Sequence, residues 1–374
     1  MPAMQIVAIV LGMSVTGVAV ALFVMSISRF VAYFRLGEPE ATVRTDEPVE
    51  RTKTLVREVL GHTRMARKKW VAVAHWVVMV SFGLLFLTLV NAYGQLISPS
   101  FDLWGLAHFT PLAWGFELFG WGAILGILTL IVVRQREHPR GADRGKRSRF
   151  WGSTFWQAYF VEAVILGVGI CIVFLRALEY ALGQAEGESW ASALNFPLTA
   201  WIGSMFSGML IGAIEGAIVA IALLKILISM TWMIMIAITM TMGVAWHRFL
   251  AFFNIYLKRN ASGRTALGPL EPIAVAGKPV DFEAIEDLDE DAALGVGKDE
   301  DFTWKGLLDF STCTECGRCQ EQCPAWHTEK PLSPKMLVIG LRNHHHDKAP
   351  WLLATEEARE KALKGIEGHG IPES

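Results

Sequence analysis

The chain has 374 residues, of which 52% are hydrophobic and 14 are Trp, with a formal net charge of −2. The apolar excess is concentrated in residues 1–257 and is unlike a soluble domain. The near-zero net charge identifies no partner, although its distribution is informative. Of five cysteines, four lie in one short run, which excludes the paired framework of a secreted disulfide protein.

In chain order, Gln5–Phe34 is an apolar stretch with no basic residue before Arg29. A cleavable signal would begin with a positive segment, so this reads as a retained transmembrane helix. Trp70–Tyr93, Thr110–Val133 and Phe155–Leu182 each reach the roughly 20 residues that a bilayer core requires. Cys171, inside the last of these, reads as a small packing residue. The segment Arg35–Lys69 carries nine Lys/Arg and Arg134–Arg149 seven, whereas Gly94–Phe109 and Leu182–Ala200 carry none. The basic stretches are therefore expected in the cytoplasm and the N-terminus outside. The last apolar block, Pro197–Leu257, ends in Lys258-Arg259 and must cross an odd number of times. Its 61 residues hold one crossing, with Pro197–Gly208 interfacial or re-entrant. The expected fold class is all-α, a bundle of five transmembrane helices over residues 1–257.

Three histidines stand out in that bundle. His75 lies just inside the second helix, His62 precedes it, and His247 lies near the end of the fifth. Ionisable groups at membrane depth are usually functional, and imidazoles ligate haem iron. The second and fifth helices are antiparallel, so His62 or His75 can meet His247 across a haem b. On an ideal helix the 13-residue spacing of His62 and His75 is about 20 Å along the axis and about 140° off one face. Which of the two pairs with His247 stays open. Glu117, Glu162, Glu215 and Lys225 can line a quinone site or proton path, or pair with one another. The run Met230–Met242 reads as packing.

Residues 258–301 read as an acidic cytoplasmic linker, with ten acidic residues and one lysine between Asp281 and Asp301, a composition typical of a solvated segment. Residues 302–374 read as a cytoplasmic α-helical ferredoxin-like segment. A short helix is expected over Phe302–Phe310, a second over Ser333–His344 and a polar one over Glu356–Lys364. The triple His344-His345-His346 reads as the end of an exposed helix. Neither G-x-G-x-x-G nor a P-loop is present, and nothing points to nucleic acid.

Between the first two of these helices lie Cys313, Cys316, Cys319 and Cys323, the last followed by Pro324. The spacing C-x2-C-x2-C-x3-C-P is that of a bacterial-type [4Fe–4S] site. A zinc knuckle would draw ligand pairs from separated loops, and disulfides closing such short loops would be strained.

Gly295-Val296-Gly297-Lys298, Asp301-Phe302-Thr303-Trp304-Lys305, the cysteine run with Cys323-Pro324-Ala325-Trp326, and Lys330-Pro331-Leu332-Ser333-Pro334-Lys335 resemble the heterodisulfide-reductase-related iron–sulfur membrane proteins. The branch most resembled is the membrane-bound electron transfer flavoprotein:menaquinone oxidoreductase. The N-terminal half is similar to the γ subunit of respiratory nitrate reductase, a five-helix cytochrome b with two haems. The resemblance implies electron transfer from a reduced flavoprotein through the cluster and haem b to menaquinone, in the cell membrane. Two departures accompany it. The outer of the two histidines that such bundles carry on their fifth helix aligns here with Ile234, leaving His62 or His75 without a partner. The chain also ends before a second cysteine motif and CCG repeats, as a fragment, a split-gene product or a minimal version. A separate CCG-repeat polypeptide is then an expected partner, besides the flavoprotein, quinone and membrane lipid. The rival readings are quinol-to-disulfide electron transfer in the opposite direction, and a non-catalytic membrane anchor of a larger redox complex.

Overall fold

The computed structural model describes residues 2–105, 109–140, 148–263, 272–275, 278–289, 292 and 294–367. Parts of the segments singled out above therefore lie outside the described residues: 106–108 of the first uncharged stretch, 141–147 of the second basic stretch, 264–271, 276–277, 290–291 and 293 of the linker, and 368–374 of the ferredoxin-like segment. The described chain is helical almost throughout, apart from a two-stranded ladder, β1 (Ala274–Val275) with β2 (Lys278–Pro279). It divides into two compact units, residues 1–26 with 58–239 and residues 27–57 with 240–374.

In chain order the helices of the first half are α1 (Pro2–Phe34), α2 (Pro48–Val59), α3 (Lys69–Ile97), α4 (Thr110–Arg136), α5 (Phe155–Glu186), α6 (Ala200–Ser204) and α7 (Ile211–Ile238). Five of them, α1, α3, α4, α5 and α7, are long and apolar enough to cross a membrane. This bears out the expected all-α membrane bundle. In the first unit Ala19 of α1, Ala92 of α3, Leu178 of α5 and Ile218, Ala222 and Ile226 of α7 share one buried core. Close approach of α3 and α4 depends on a small-xxx-small pair, as membrane helices often do. A Cβ on Gly126 would lie 3.0 Å from the carbonyl oxygen of Ala74, and one on Gly122 2.9 Å from Val77. Outward-facing Leu118, Leu125 and Val132 of α4 are exposed, which costs little against hydrocarbon. The short α6 occupies the segment expected to be interfacial, with Gly203 packed against the Ala177 carbonyl.

Two of the four charges left unassigned in the sequence have arginine partners. Glu162 accepts from Arg134 at 2.6 Å, and Glu117 accepts from Arg176 at 3.1 Å and from the Thr199 hydroxyl at 2.7 Å.

The fifth spanning helix ends earlier than expected. Thr239 (ψ 74°) and Met242 (ψ 69°) leave helical geometry, and α8 (Gly243–Tyr256) starts afresh. At 1.5 Å per residue the 28 residues of α7 extend about 42 Å, enough for a core of about 30 Å. The apolar run continues unchanged across the break, so hydropathy does not reveal it. Thr239, Thr241 and Gly243 are poor helix formers at the join. His247 consequently lies on α8, not near the end of the fifth spanning helix.

In the second unit α9 (Trp304–Ser311), α10 (Arg318–Glu321), α11 (Pro324–His327), α12 (Pro334–Leu353) and α13 (Glu356–Glu367) follow. The starts of α9 and α12 were written locally. Thr303 accepts from the Gly306 amide and Ser333 from the Met336 amide, each filling an N-cap. Pro324 and Pro334 occupy first-turn positions where no amide donor is missed. The start of α2 is tied to the end of α8: buried Arg51 donates to the carbonyls of Tyr256 (3.0 Å) and Lys258 (2.6 Å), and the Thr54 hydroxyl to that of Ala261 (2.8 Å). Asn254 of α8 donates to Asp309 of α9 at 2.6 Å.

Two expectations for this half are corrected. The triple histidine sits within α12, and His345 and His346 are buried, packed on the rings of Phe30 and Tyr33. Asp299, at the end of the supposedly solvated acidic segment, is 5% exposed and bonded to His345 (2.8 Å) and Lys348 (2.7 Å). Partners 46 and 49 residues away, rather than local composition, decide its burial.

Candidate functional site

The cysteine run forms a tight loop between α9 and α11. Cys313 follows the last turn of α9, Cys319 lies in α10, and Cys323 caps α11. Two left-handed residues, Glu315 (φ 56°) and Gly317 (φ 71°), turn the backbone between the first three cysteines. Gly317 adopts this conformation without strain, whereas Glu315 is held in it by neighbours. Its carboxylate is buried and accepts from Arg342 Nη2 at 2.7 Å, while Arg342 Nη1 donates to the Cys313 carbonyl at 3.3 Å. Arg342 is 1% exposed.

Lys335, completely buried at the start of α12, lies within the electrostatic reach of the same loop. Burial pushes its ammonium down to about 8, opposed by Glu315 and by the thiols of Cys319, Cys313 and Cys316. Burial also raises the thiols of Cys313 and Cys319. None of the four cysteines is in a disulfide. Among the described residues no three ligand-type side chains converge tightly enough for a single ion. A cubane asks for a different arrangement, with thiolates distributed over separate irons, and four unbridged thiols around one loop fit that demand. Arg342 and Lys335 are the functional neighbours that spacing alone did not single out. Lys335 stands in a motif quoted above, but its burial against the thiols has no local signature.

The two histidines of the first unit come together, contrary to the ideal-helix estimate. His62 is not on α3. It sits at φ 48°, ψ 28° at the head of a 3-10 turn over Thr63–Met65, which folds it back over the first turns of α3. His62 Nε2 and His75 Nδ1 are 2.9 Å apart, and His62 Nδ1 is 2.7 Å from the Val59 carbonyl. A carbonyl can only accept, so His62 Nδ1 carries the proton. With both rings neutral, His62 Nε2 then accepts and His75 Nδ1–H donates. His75 is thereby set in the tautomer with its lone pair on Nε2. That is the form in which a histidine ligates a metal while its other nitrogen donates to an outer partner. The donor set fits haem at His75, with His62 as the residue that orients it. The sequence singled out both residues but not their contact, because the break before α3 was invisible to it.

No protein-family model matches the chain, and no solved structure matches it. Among curated proteins, it is 27% identical over 324 residues to the "EtfAB:quinone oxidoreductase" of Syntrophomonas wolfei, covering 84% of this chain and 40% of that protein. It is 27% identical over 352 residues to the "Probable iron-sulfur-binding oxidoreductase FadF" of Bacillus subtilis, covering 91% of this chain and 44% of that protein. A third match, 36% identical over 133 residues, is to a "Probable membrane-anchored ferredoxin" of Chromohalobacter salexigens, covering 35% of this chain and 18% of that protein. The chain thus spans less than half the length of these relatives. With five membrane-length helices and the cysteine loop, it is similar to proteins named as a quinone oxidoreductase, an iron–sulfur-binding oxidoreductase and a membrane-anchored ferredoxin.

Proposed function

We propose that the chain carries electrons from a reduced electron transfer flavoprotein to membrane menaquinone. In this reading a [4Fe–4S] cluster is held by Cys313, Cys316, Cys319 and Cys323, and haem b by histidines drawn from His62, His75 and His247. The observation that carries it is one tight loop of four unbridged cysteines, three of them within electrostatic reach of buried Lys335, in a chain with five helices able to cross a membrane. The name of the Syntrophomonas relative supports a flavoprotein and a quinone as the two ends of the route.

The cluster, when bound, supplies a one-electron carrier. The protein's own residues do the rest. The cysteines hold the irons, Arg342 fixes the loop through Cys313 and Glu315, and Lys335 places a positive charge beside the thiolates. His62 sets the tautomer of His75. By the distribution of basic residues, the cluster segment faces the cytoplasm of a cell membrane and the N-terminus lies outside. The flavoprotein then docks from the cytoplasmic side, and a separate CCG-repeat polypeptide is a further candidate partner there.

Anaerobic purification followed by metal analysis, EPR and quinone reduction tests this function. The expected result is about four irons and four sulfides per chain with an EPR signal on reduction, a reduced b-type α-band, and reduction of a menaquinone analogue by the reduced flavoprotein. Zinc in place of iron overturns the reading, as does a fully loaded protein that exchanges no electrons with quinone. Flow only from quinol to a disulfide-reducing partner would reverse the assigned direction.

A further inference from the structure

A second polar site lies inside the first unit, marked by Thr88, about 20 Å along α3 from His75. A cavity of about 30 Å³ is lined by Thr88, Asn91 and Gln95 of α3, Arg176 and Glu179 of α5, and Lys225 of α7, and it reaches Asp102 in the connection between α3 and α4. These groups lie at graded depth. Lys225 is 14 residues from Ile211 and 13 from Ile238, the ends of α7, which at 1.5 Å per residue places it about 20 Å from either end. Glu179 is seven residues, or about 10 Å, from the end of α5 at Glu186.

Most of the polar side chains here have structural partners. Arg176 donates to Glu117 (3.1 Å), Glu179 (3.2 Å) and the Asn195 carbonyl (2.8 Å), and Glu179 also accepts from Gln95 at 2.6 Å. Lys225 differs. It is 1% exposed, and among the described residues its one hydrogen-bond partner is the Thr88 hydroxyl at 2.7 Å. An ammonium has three donors, and leaving them unmet at mid-membrane is expensive. The adjoining cavity exceeds the roughly 10–15 Å³ that holds one water, and its polar walls supply that water with further partners.

We propose that this cavity is a hydrated proton-exchange site. Lys225 releases a proton from Nζ to cavity water. Glu179 accepts it, and Asp102 passes it to the solvent at the connection; uptake runs in reverse. The charged and titratable groups facing Lys225 are Glu179, Arg176 and Cys171 of α5 and Asp102 of the connection. Thr88 faces it from α3 with a neutral hydroxyl. The proposal rests on the quinone reading for the consumer of the proton. Reducing one quinone to quinol takes two electrons, supplied by the flavoprotein, and two protons, of which this path delivers at least one.

Two measurements on the full chain decide it. In lipid bilayers, solid-state NMR of ¹⁵Nζ-lysine protein identifies Lys225 by the signal missing from Lys225→Met. The site predicts that this signal titrates between pH 5 and pH 10 and exchanges with solvent deuterium within minutes. A signal that does neither overturns the proposal, whatever the protein's function. In proteoliposomes containing a pH dye, Lys225→Met and Lys225→Arg are each expected to lower quinone-linked proton uptake at least tenfold while leaving the cluster EPR signal intact. Arginine keeps the charge but cannot release a proton, so uptake retained by Lys225→Arg also overturns it. If wild-type protein fails to reduce quinone, the functional reading falls and the NMR titration alone decides the site.

Discussion

A methyl group placed on Gly243 would lie 1.9 Å from the carbonyl oxygen of Cys313. The first residue of α8 is therefore pressed against the first residue of the cysteine loop, and only the absence of a side chain permits it. Neither atom is on a flexible side chain, so the strain cannot be relieved by a rotamer change.

Gly243→Ala is accordingly expected to displace the Cys313 backbone and lose the cluster while the spanning helices persist. Iron content and EPR should fall by at least tenfold with far-UV circular dichroism within a few per cent of wild type. Retention of the full iron content would show that the loop can retreat from α8.

The charge of Lys335 gives a second test. Its ammonium lies close to Cys313, Cys316 and Cys319, and a positive charge there favours the more negative, reduced form of any cluster they hold. Lys335→Met should shift the reduction midpoint to a more negative value, on the order of 60 mV, the one-electron equivalent of a tenfold change in equilibrium. EPR-monitored redox titration reads the shift. An unchanged midpoint would leave Lys335 a packing residue.

These neighbours mark the boundary of what the sequence made legible. The spanning helices could be read because a bilayer demands long apolar runs, and the cysteine loop because its ligands are adjacent in sequence. The break at Thr239–Met242 could not, since both sides of it are equally apolar. His345 and His346 looked exposed because polarity is a local property. Their burial depends on Phe30 and Tyr33, more than 300 residues earlier, together with Asp299. His62 looked misplaced against His75 only on the assumption of one continuous helix, which its left-handed backbone at φ 48° removes.

The buried groups around α12 make acid the sensitive side of stability. Burial opposes ionisation of Asp299, but hydrogen bonds from Lys348 and His345 more than offset it and hold the carboxyl below the usual range. A folded value below the unfolded one of about 3.9 gives stability that is complete above that pH and lost as pH falls. Burial, with His345 and Arg342 adding to it, pushes His346 down to about 3. This likewise removes stability as pH falls from about 6.5 towards 3. Thermal unfolding followed by tryptophan fluorescence should therefore show a midpoint that declines below about pH 6.5. His346→Phe should flatten the part between about 6.5 and 4. Asp299→Asn should lower the midpoint at neutral pH and flatten the part below 4. A midpoint independent of pH from 7 to 4 would contradict the buried neutral state of His346.

The histidine pair gives the last prediction, because the two rings are assigned different roles. If His75 ligates haem and His62 only orients it, removing each has a different cost. His75→Ala should abolish the reduced α-band of the haem it binds. His62→Ala leaves the ligand in place but removes the acceptor that fixes its tautomer. Loss of such an outer partner typically costs about 10–100-fold in metal affinity, so the band should persist and be lost on dilution or mild competition. His62→Asn separates the hydrogen bond from the backbone, since asparagine tolerates the left-handed conformation at this position and its side-chain oxygen can accept from His75 Nδ1. It should retain more haem than His62→Ala. Equal loss of the band in His62→Ala and His75→Ala would make both rings ligands and reverse the order of roles read from their 2.9 Å contact.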